Sequence, residues 1–287
     1  MQDTKTKADI NLIQFHKITN RHVLALEADI SECDRRELLH MSNIIRVAGN
    51  ELVAVMKKQY EQLLRTKRYR RLRDMYAKAK KTEDKKKISA ITAEMTEMQK
   101  SYHVTWEFCR KSMIEINQKY NINSIFALSK AEDVWQAVEK CLFSDGKAIH
   151  FKKYGDYPEI RAKQANRGIV ISADNDGIRL KIGKTKLKPI INKHKHTKTR
   201  KGNTIQVQEP HDIFAESEAE AVLNYLSNPD VVDKTALDLY NKKGIVMDTF
   251  RPCFASISFK EIRGKMRVYI HITIEGISKP KYNKDGT

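Results

Sequence analysis

Apolar residues recur at three- and four-residue spacing through one long stretch of the chain, and at two-residue spacing on either side of it. Met41, Ile45, Ala48, Leu52, Val55/Met56, Tyr60 and Leu63 mark one helical face, on which Gly49 is tolerated at a cost of about 1 kcal/mol against alanine. A second face runs through Ile88, Ile91, Met95, Met98 and Tyr102 and continues through Trp106, Cys109, Met113, Ile116 and Tyr120 with little loss of register. These segments are expected to pair as an antiparallel helical bundle. A shorter amphipathic helix is expected to open at Ser129 as N-cap, with Glu132 three residues on, to carry Val134, Trp135, Val138 and Leu142, and to close near Gly146.

The flanks read as strands. The first thirty residues are extended in character, with Ile10 and Leu12 apolar and His22 to Ala28 fitting a partly buried strand. After Gly146 come short apolar runs at 168–171, 177–182 and 187–191, with a hairpin turn expected at 174–177. Residues 266–274 alternate strictly, and pair plausibly with Cys253 to Phe259 through a turn at Arg263-Gly264. Between these groups, Asp212 to Tyr240 reads as helical and acidic, with Glu216, Glu218, Glu220, Asp230, Asp233 and Asp238 against Lys234.

Glycine and proline divide the chain. Residues 50–145 contain neither, whereas all six prolines and ten of the eleven glycines lie at or beyond Gly146. The expected organisation is α+β: strands at 1–31, a helical lobe at 32–146, and strands again at 147–287, interrupted by an acidic helical insertion at about 210–243. One β-barrel-like body whose chain leaves to build an inserted helical bundle and then returns is the simplest architecture.

Charge narrows the function. The formal charge is +18, from 54 basic and 36 acidic residues, which predicts attraction to a polyanion, nucleic acid first. No apolar run approaches the roughly 20 residues that span a bilayer, and the start, Met1-Gln2-Asp3-Thr4, lacks a secretory pattern, so a cytoplasmic location is expected. Cys33, Cys109, Cys141 and Cys253 show no metal-ligand spacing and are expected to be buried thiols.

Two clusters hold the excess charge. Residues 57–87 contain fourteen basic and four acidic side chains. Their centre, Lys67, Arg68, Tyr69, Arg70, Arg71 and Arg73, combines guanidinium groups that bridge phosphate oxygens with a phenol that could stack on a base. An ordinary solvated helix face is the alternative, though such faces usually mix signs. The second cluster, Lys184, Lys186 and Lys188 followed by Lys193, Lys195, Lys198, Arg200 and Lys201, has eight cations and no acid. Strand alternation would set its first three lysines on one side as a rail along a nucleic-acid backbone, and its second half reads equally well as a loop ordered on binding.

No catalytic motif emerges: P-loop, GxGxxG, GxSxG and HExxH patterns are all missing. His194 and His196 could face one way on a strand, yet no third ligand lies nearby. Asp174/Asp176 sits in a turn, and Glu218/Glu220 are two apart on a helix, where they do not share a face.

The order of parts, a β start, a helical region with Asn50 and a basic Arg/Lys/Tyr run, then a return to strands, resembles the amino-terminal half of the TnpB transposon-encoded nucleases and the related type V CRISPR effectors. Val134-Trp135, Val138, Leu142-Phe143 and Gly146-Lys147, followed by His150 to Lys153 and Gly155-Asp156, resemble the link from the family's recognition lobe to its wedge domain, as do Ala162-Lys163, Asn166 and Gly168-Ile169. Residues 253–259 and 265–275 resemble the last wedge hairpin before the RuvC nuclease domain.

The resemblance implies guide RNA and target DNA as partners, held mainly by backbone contacts while base pairing reads sequence. Lys67, Arg68, Tyr69, Arg70, Arg71, Arg73, Lys152, Lys153, Lys184, Lys186, Lys188, Lys193, Lys195, Arg200 and Lys201 would then contact nucleic acid, and part of the helical lobe would approach the short motif flanking the target. The chain ends about where the family's first catalytic aspartate segment would follow, and neither the RuvC carboxylates nor the zinc ribbon is visible. No catalytic or metal residue is therefore carried over; Mg2+ is expected only in a RuvC domain, and a separate RuvC-containing chain stands among the candidate partners. A non-catalytic RNA-binding or RNA-guided repressor protein is the runner-up, and a protein whose acidic helix docks a basic partner is the third alternative.

Overall fold

The computed structural model describes residues 21–143, 146, 148–164, 166–175, 177–190, 195–200, 203–208, 210–244, 247 and 249–275, with side chains outside 195–216. The extended character expected at Ile10 and Leu12 lies outside these residues. The architecture is mixed α+β, and the chain divides into two compact units, His40–Pro158 and the segments Met1–Leu39 with Glu159–Thr287.

Helix α1 (Glu32–Arg65) crosses the boundary between them. Ser31 starts it: its hydroxyl accepts from the Asp34 N–H at 3.1 Å and donates to the Asp34 carboxylate at 2.6 Å. The two units divide at 39/40, inside α1, and at 158/159. The reason is contact: Glu37 on α1 accepts from Thr185 at 3.2 Å within the sheet unit, and residues after Gly146 are tied back to the helical one.

In the helical unit, α1 is followed by α2 (Lys67–Lys81), α3 (Lys85–Ser101), α4 (Trp106–Tyr120) and α5 (Ser124–Phe143). All four breaks between these helices occur without glycine or proline, and two of them show how. At Thr66 the backbone is extended, and its hydroxyl bonds the Tyr102 hydroxyl at 3.1 Å. At 102–105 the expected continuous helix splits: His103 takes a left-handed conformation (φ 57°), and the Val104 N–H reaches back to the Gln99 carbonyl at 2.8 Å. Histidine is among the few side chains enriched there, so the stop carries no glycine signal. Thr105 then caps α4 by accepting from the Phe108 N–H at 3.2 Å.

The last helix also starts earlier than expected. The Asn123 side chain accepts from the Ile125 N–H at 3.0 Å, which puts Ser129 in the helix interior, buried, instead of at the cap. Helices α2 and α3 form a hairpin with Tyr69, Leu72 and Ala79 facing Ile91, Met95 and Gln99. Helices α4 and α5 form another, in which the Cys109 thiol lies 3.6 Å from the Ala131 carbonyl. Gly49 has a packing reason: a Cβ there would stand 2.5 Å from Cε of the buried Lys130 on α5.

The other unit holds a seven-stranded, all-antiparallel sheet in the order β2-β8-β9-β1-β5-β4-β3. Its strands are β1 (Arg21–Asp29), β2 (Ile160–Arg161), β3 (Ile169–Asp174), β4 (Gly177–Ile182), β5 (Thr185–Ile190), β8 (Arg251–Ile262) and β9 (Lys265–Glu275); β6 (Lys195–Arg200) and β7 (Asn203–Gln208) form a separate two-stranded ribbon. Contact between β3 and β8 curls the sheet. Alternation decides its buried face: Leu24 pairs with Ile272, Leu26 with Ile270, Leu180 with Leu187 and Ile257 with Ile270, all buried. Each such Leu or Ile contributes roughly 1.5–3 kcal/mol by leaving water. The expected hairpins at 174–177 and 263–264 form, with Asp174 opposite Gly177 and Ile262 opposite Lys265.

The acidic segment is two helices, α6 (Pro210–Ser227) and α7 (Pro229–Lys243), separated at Asn228 before a proline at the first turn of α7. Helix α6 packs on β1, β3, β4 and β8.

Candidate nucleic-acid interface

Burial of Tyr69, Leu72 and Ala79 sets the rotation of α2. The opposite side then carries Lys67, Arg70, Arg71, Lys78 and Lys81, all exposed, at helical-neighbour spacings with Asp74 as the one acid among them. None of the five has a carboxylate partner among the described residues. Arg68 does, 2.6 Å from Glu94, but the pair is exposed, and such pairs contribute about 1 kcal/mol or less.

Neither α2 nor α3 has an acid in its first turn; Lys67, Arg68 and Arg70 open one, and Lys85, Lys86 and Lys87 open the other. A helix N-terminus carries partial positive charge, so each cation there opposes the helix by typically 0.3–1 kcal/mol. Asp84 offsets part of this at α3, where the Lys87 N–H and then the Lys87 ammonium hold its carboxyl below its usual range. An anion bound at these ends would relieve the rest, because the partial positive charge of each helix start and the side chains there both attract negative charge.

Two residues of this cluster are placed otherwise than the sequence suggested. Tyr69 is completely buried, with Gln99 Nε2 donating to its hydroxyl at 3.0 Å, so it is a core residue and offers no face to a base. Burial pushes its phenol pKa up, opposed by the Gln99 bond and the Arg73 charge. Arg73 is half-buried and close enough to Tyr60 and Tyr69 to act on both phenols, away from the exposed strip. A signal was present: Tyr69, Leu72, Tyr76 and Ala79 repeat at helical spacing, which marks Tyr69 as inward.

On the sheet, Lys186 and Lys188 are exposed on β5 between buried Thr185, Leu187 and Pro189, while Lys184 is exposed in the turn before it. Lys181 on β4 lies directly opposite Lys186 and adds a cation to the same face, one that sequence reasoning passed over because its strand partner was not known. Asp29 on β1 stands opposite Lys188 and tempers that end of the rail. Lys195 and Arg200 occupy the two ends of β6, so residues 195–200 of the cluster's second half form a strand of the ribbon. Lys193 and Lys201 lie outside the described residues.

Lys152 and Lys153 are exposed on a segment, His150–Pro158, that α1 holds in place. The Asn50 amide makes both backbone bonds of Lys152, donating to its carbonyl at 2.8 Å and accepting from its N–H at 2.9 Å. Arg46 adds a 3.3 Å bond to the same carbonyl, and Ser42 donates to the Pro158 carbonyl at 2.6 Å. Inside the segment the Lys153 N–H donates to the Asp156 carboxylate at 3.0 Å, with Gly155 at φ 87° closing the turn. Arg46 lies 5.7 Å from the Tyr154 ring, and Lys57 lies 5.6 Å from the Phe151 ring.

The other candidates are structural or unsupported. His194 and Asp176 lie outside the described residues; Asp174 is bonded by Arg179 at 2.7 Å. Glu218 is buried 3.1 Å from His22 Nε2, while Glu220 is exposed. Asp233 accepts from the Tyr225 hydroxyl at 3.0 Å, so part of the acidic segment serves its own fold. Cys109 and Cys141 are buried as expected, but Cys253 is half-exposed and Cys33 exposed, at the first turn of α1. Among the described residues no three His, Cys, Asp or Glu side chains gather as a metal site. No helix among them is long and apolar enough to cross a membrane. No family model matches the chain, and no curated protein matches it.

Proposed function

We propose that this chain binds nucleic acid through the outward strip of α2, the start of α3 and the β4–β5 lysines, as the guide-RNA and target-DNA binding portion of a TnpB-like or type V CRISPR RNA-guided endonuclease. The observation that carries nucleic-acid binding is the exposed row Lys67, Arg70, Arg71, Lys78 and Lys81, none of them paired with a carboxylate among the described residues, with cations placed at two helix starts where they cost stability. Arginines bridge phosphate oxygens in pairs, and the helix N–H groups add fixed donors, so the strip grips a backbone without reading its sequence. Sequence would be read by base pairing with the guide. The order of strands and helices along the chain supports the narrower assignment, and cleavage would require a RuvC-type segment.

The test is to purify the chain, sequence the nucleic acid that comes with it, and measure affinity across salt for wild type and for Arg70→Gln/Arg71→Gln/Lys78→Gln. Removing three phosphate contacts should lower the salt slope by about 2 for a single strand, which at about 0.1 M salt is roughly a hundredfold weaker binding. Binding that is absent in wild type, or that the triple variant leaves unchanged, refutes the assignment. An RNA that is bound but directs no capture of complementary DNA identifies the non-catalytic RNA-binding alternative.

A further inference from the structure

We infer that the His150–Asp156 segment is a stacking platform for unpaired RNA bases, with Phe151 and Tyr154 as the rings. The inference rests on the nucleic-acid reading above and adds the form of nucleic acid recognised. Three observations carry it.

The first is exposure. Tyr154 is 85% exposed and Phe151 49%, two aromatic side chains three residues apart on a surface that would be more stable with them covered. The second is charge. Lys152 and Lys153 lie between the rings in sequence, and Arg46 and Lys57 stand 5.7 and 5.6 Å from the ring centroids. A cation over one face of each of two exposed rings suits a strand whose bases stack on what is left open while its phosphates pass alongside.

The third is rigidity. An exposed loop normally loses freedom on binding, yet this one is already fixed at Lys152 by both bonds of the Asn50 amide, at Lys153 by Asp156 and at Pro158 by Ser42. Ordering done in advance strengthens binding without any added contact. A duplex keeps its bases stacked on one another and cannot present them to the rings, so the platform selects single strands.

Binding of an oligo(U) strand and of a double-stranded RNA of equal charge tests this, using full-length wild type, Phe151→Ala/Tyr154→Ala and the Arg70/Arg71/Lys78 triple variant. Removing the two rings should weaken oligo(U) binding about tenfold per ring, leave the duplex affinity unchanged, and leave the salt slope unchanged because no charge is lost. Tyr154→Trp should retain affinity and show tryptophan quenching on adding oligo(U), which a folding defect would not produce. If the double variant keeps full oligo(U) affinity, or loses single and double strands equally, the platform is wrong. If wild type binds neither RNA, the underlying nucleic-acid assignment is what fails.

Discussion

Tyr69 separates two accounts of the basic helix, because a stacking residue and a core residue respond to the same substitution in opposite ways. Tyr69→Phe keeps the ring and removes only the hydroxyl that accepts from Gln99 Nε2 at 3.0 Å. Gln99 is itself only 6% exposed, so its amide is left without a partner and without water. That costs about 1–3 kcal/mol, and Tyr69→Ala, which also opens a cavity, about 3–5 kcal/mol. With a urea m-value of about 1–3 kcal/mol/M, a loss of about 2 kcal/mol moves the unfolding midpoint by roughly 1 M. Tyr69→Phe/Gln99→Leu should recover much of it, since both polar partners are then gone.

There is also a pH signature. Burial raises the folded phenol pKa, so the native state holds this proton more tightly, and its contribution is fully present below the unfolded value of about 10 and is lost as pH rises above it. Tyr69→Phe should flatten that alkaline decline. Circular dichroism against urea and pH reads stability, and RNA affinity on the same samples should match wild type. A Tyr69→Phe protein of unchanged midpoint, together with a Tyr69→Ala protein that stays as stable as wild type but loses RNA binding, would refute the core assignment and restore stacking.

Other expectations concern thiols, the pinned loop and the acid limit. Cys33 should react readily with a thiol reagent at pH 8, whereas Cys109, whose thiol burial pushes up to about 12, should react only on unfolding, as counted by mass spectrometry. Asn50→Ala removes both backbone bonds of Lys152, so amide exchange should accelerate at 151–156 while the exchange of α4 and α5 holds; equal rates would show that Asn50 does not fix the loop. The Glu51 carboxyl is held down first by the Tyr120 hydroxyl at 2.9 Å and then by Lys119 at 3.1 Å, so its contribution is present above the unfolded value of about 4.3 and is lost as pH falls through the depressed one. Glu51→Gln should therefore show a shallower acid limb in pH-dependent melts than wild type.

Local pattern determined a great deal about this protein. The three- and four-residue spacing from Met41 to Leu63 specifies helix because those side chains meet on one face, and the alternation from Met266 to Ile274 specifies a strand with one side in the core. The same sequence identifies where charge is concentrated, since Lys and Arg over 57–87 outnumber acids whatever the fold. Periodicity does not say what covers a face or where a chain turns without glycine. Thr66 and His103 end helices through hydrogen bonds to Tyr102 and from Val104 to Gln99, which exist only once the turns have formed.

Tertiary structure alone decided the remainder. Strand β1 sits between β9 and β5, so Leu24 meets Ile272 across nearly the whole chain. It likewise set Gln99 against the Tyr69 hydroxyl, and fixed the backbone between Phe151 and Tyr154 through an asparagine a hundred residues earlier. In each case the deciding partner is remote in sequence, and only the closed chain brings the two together.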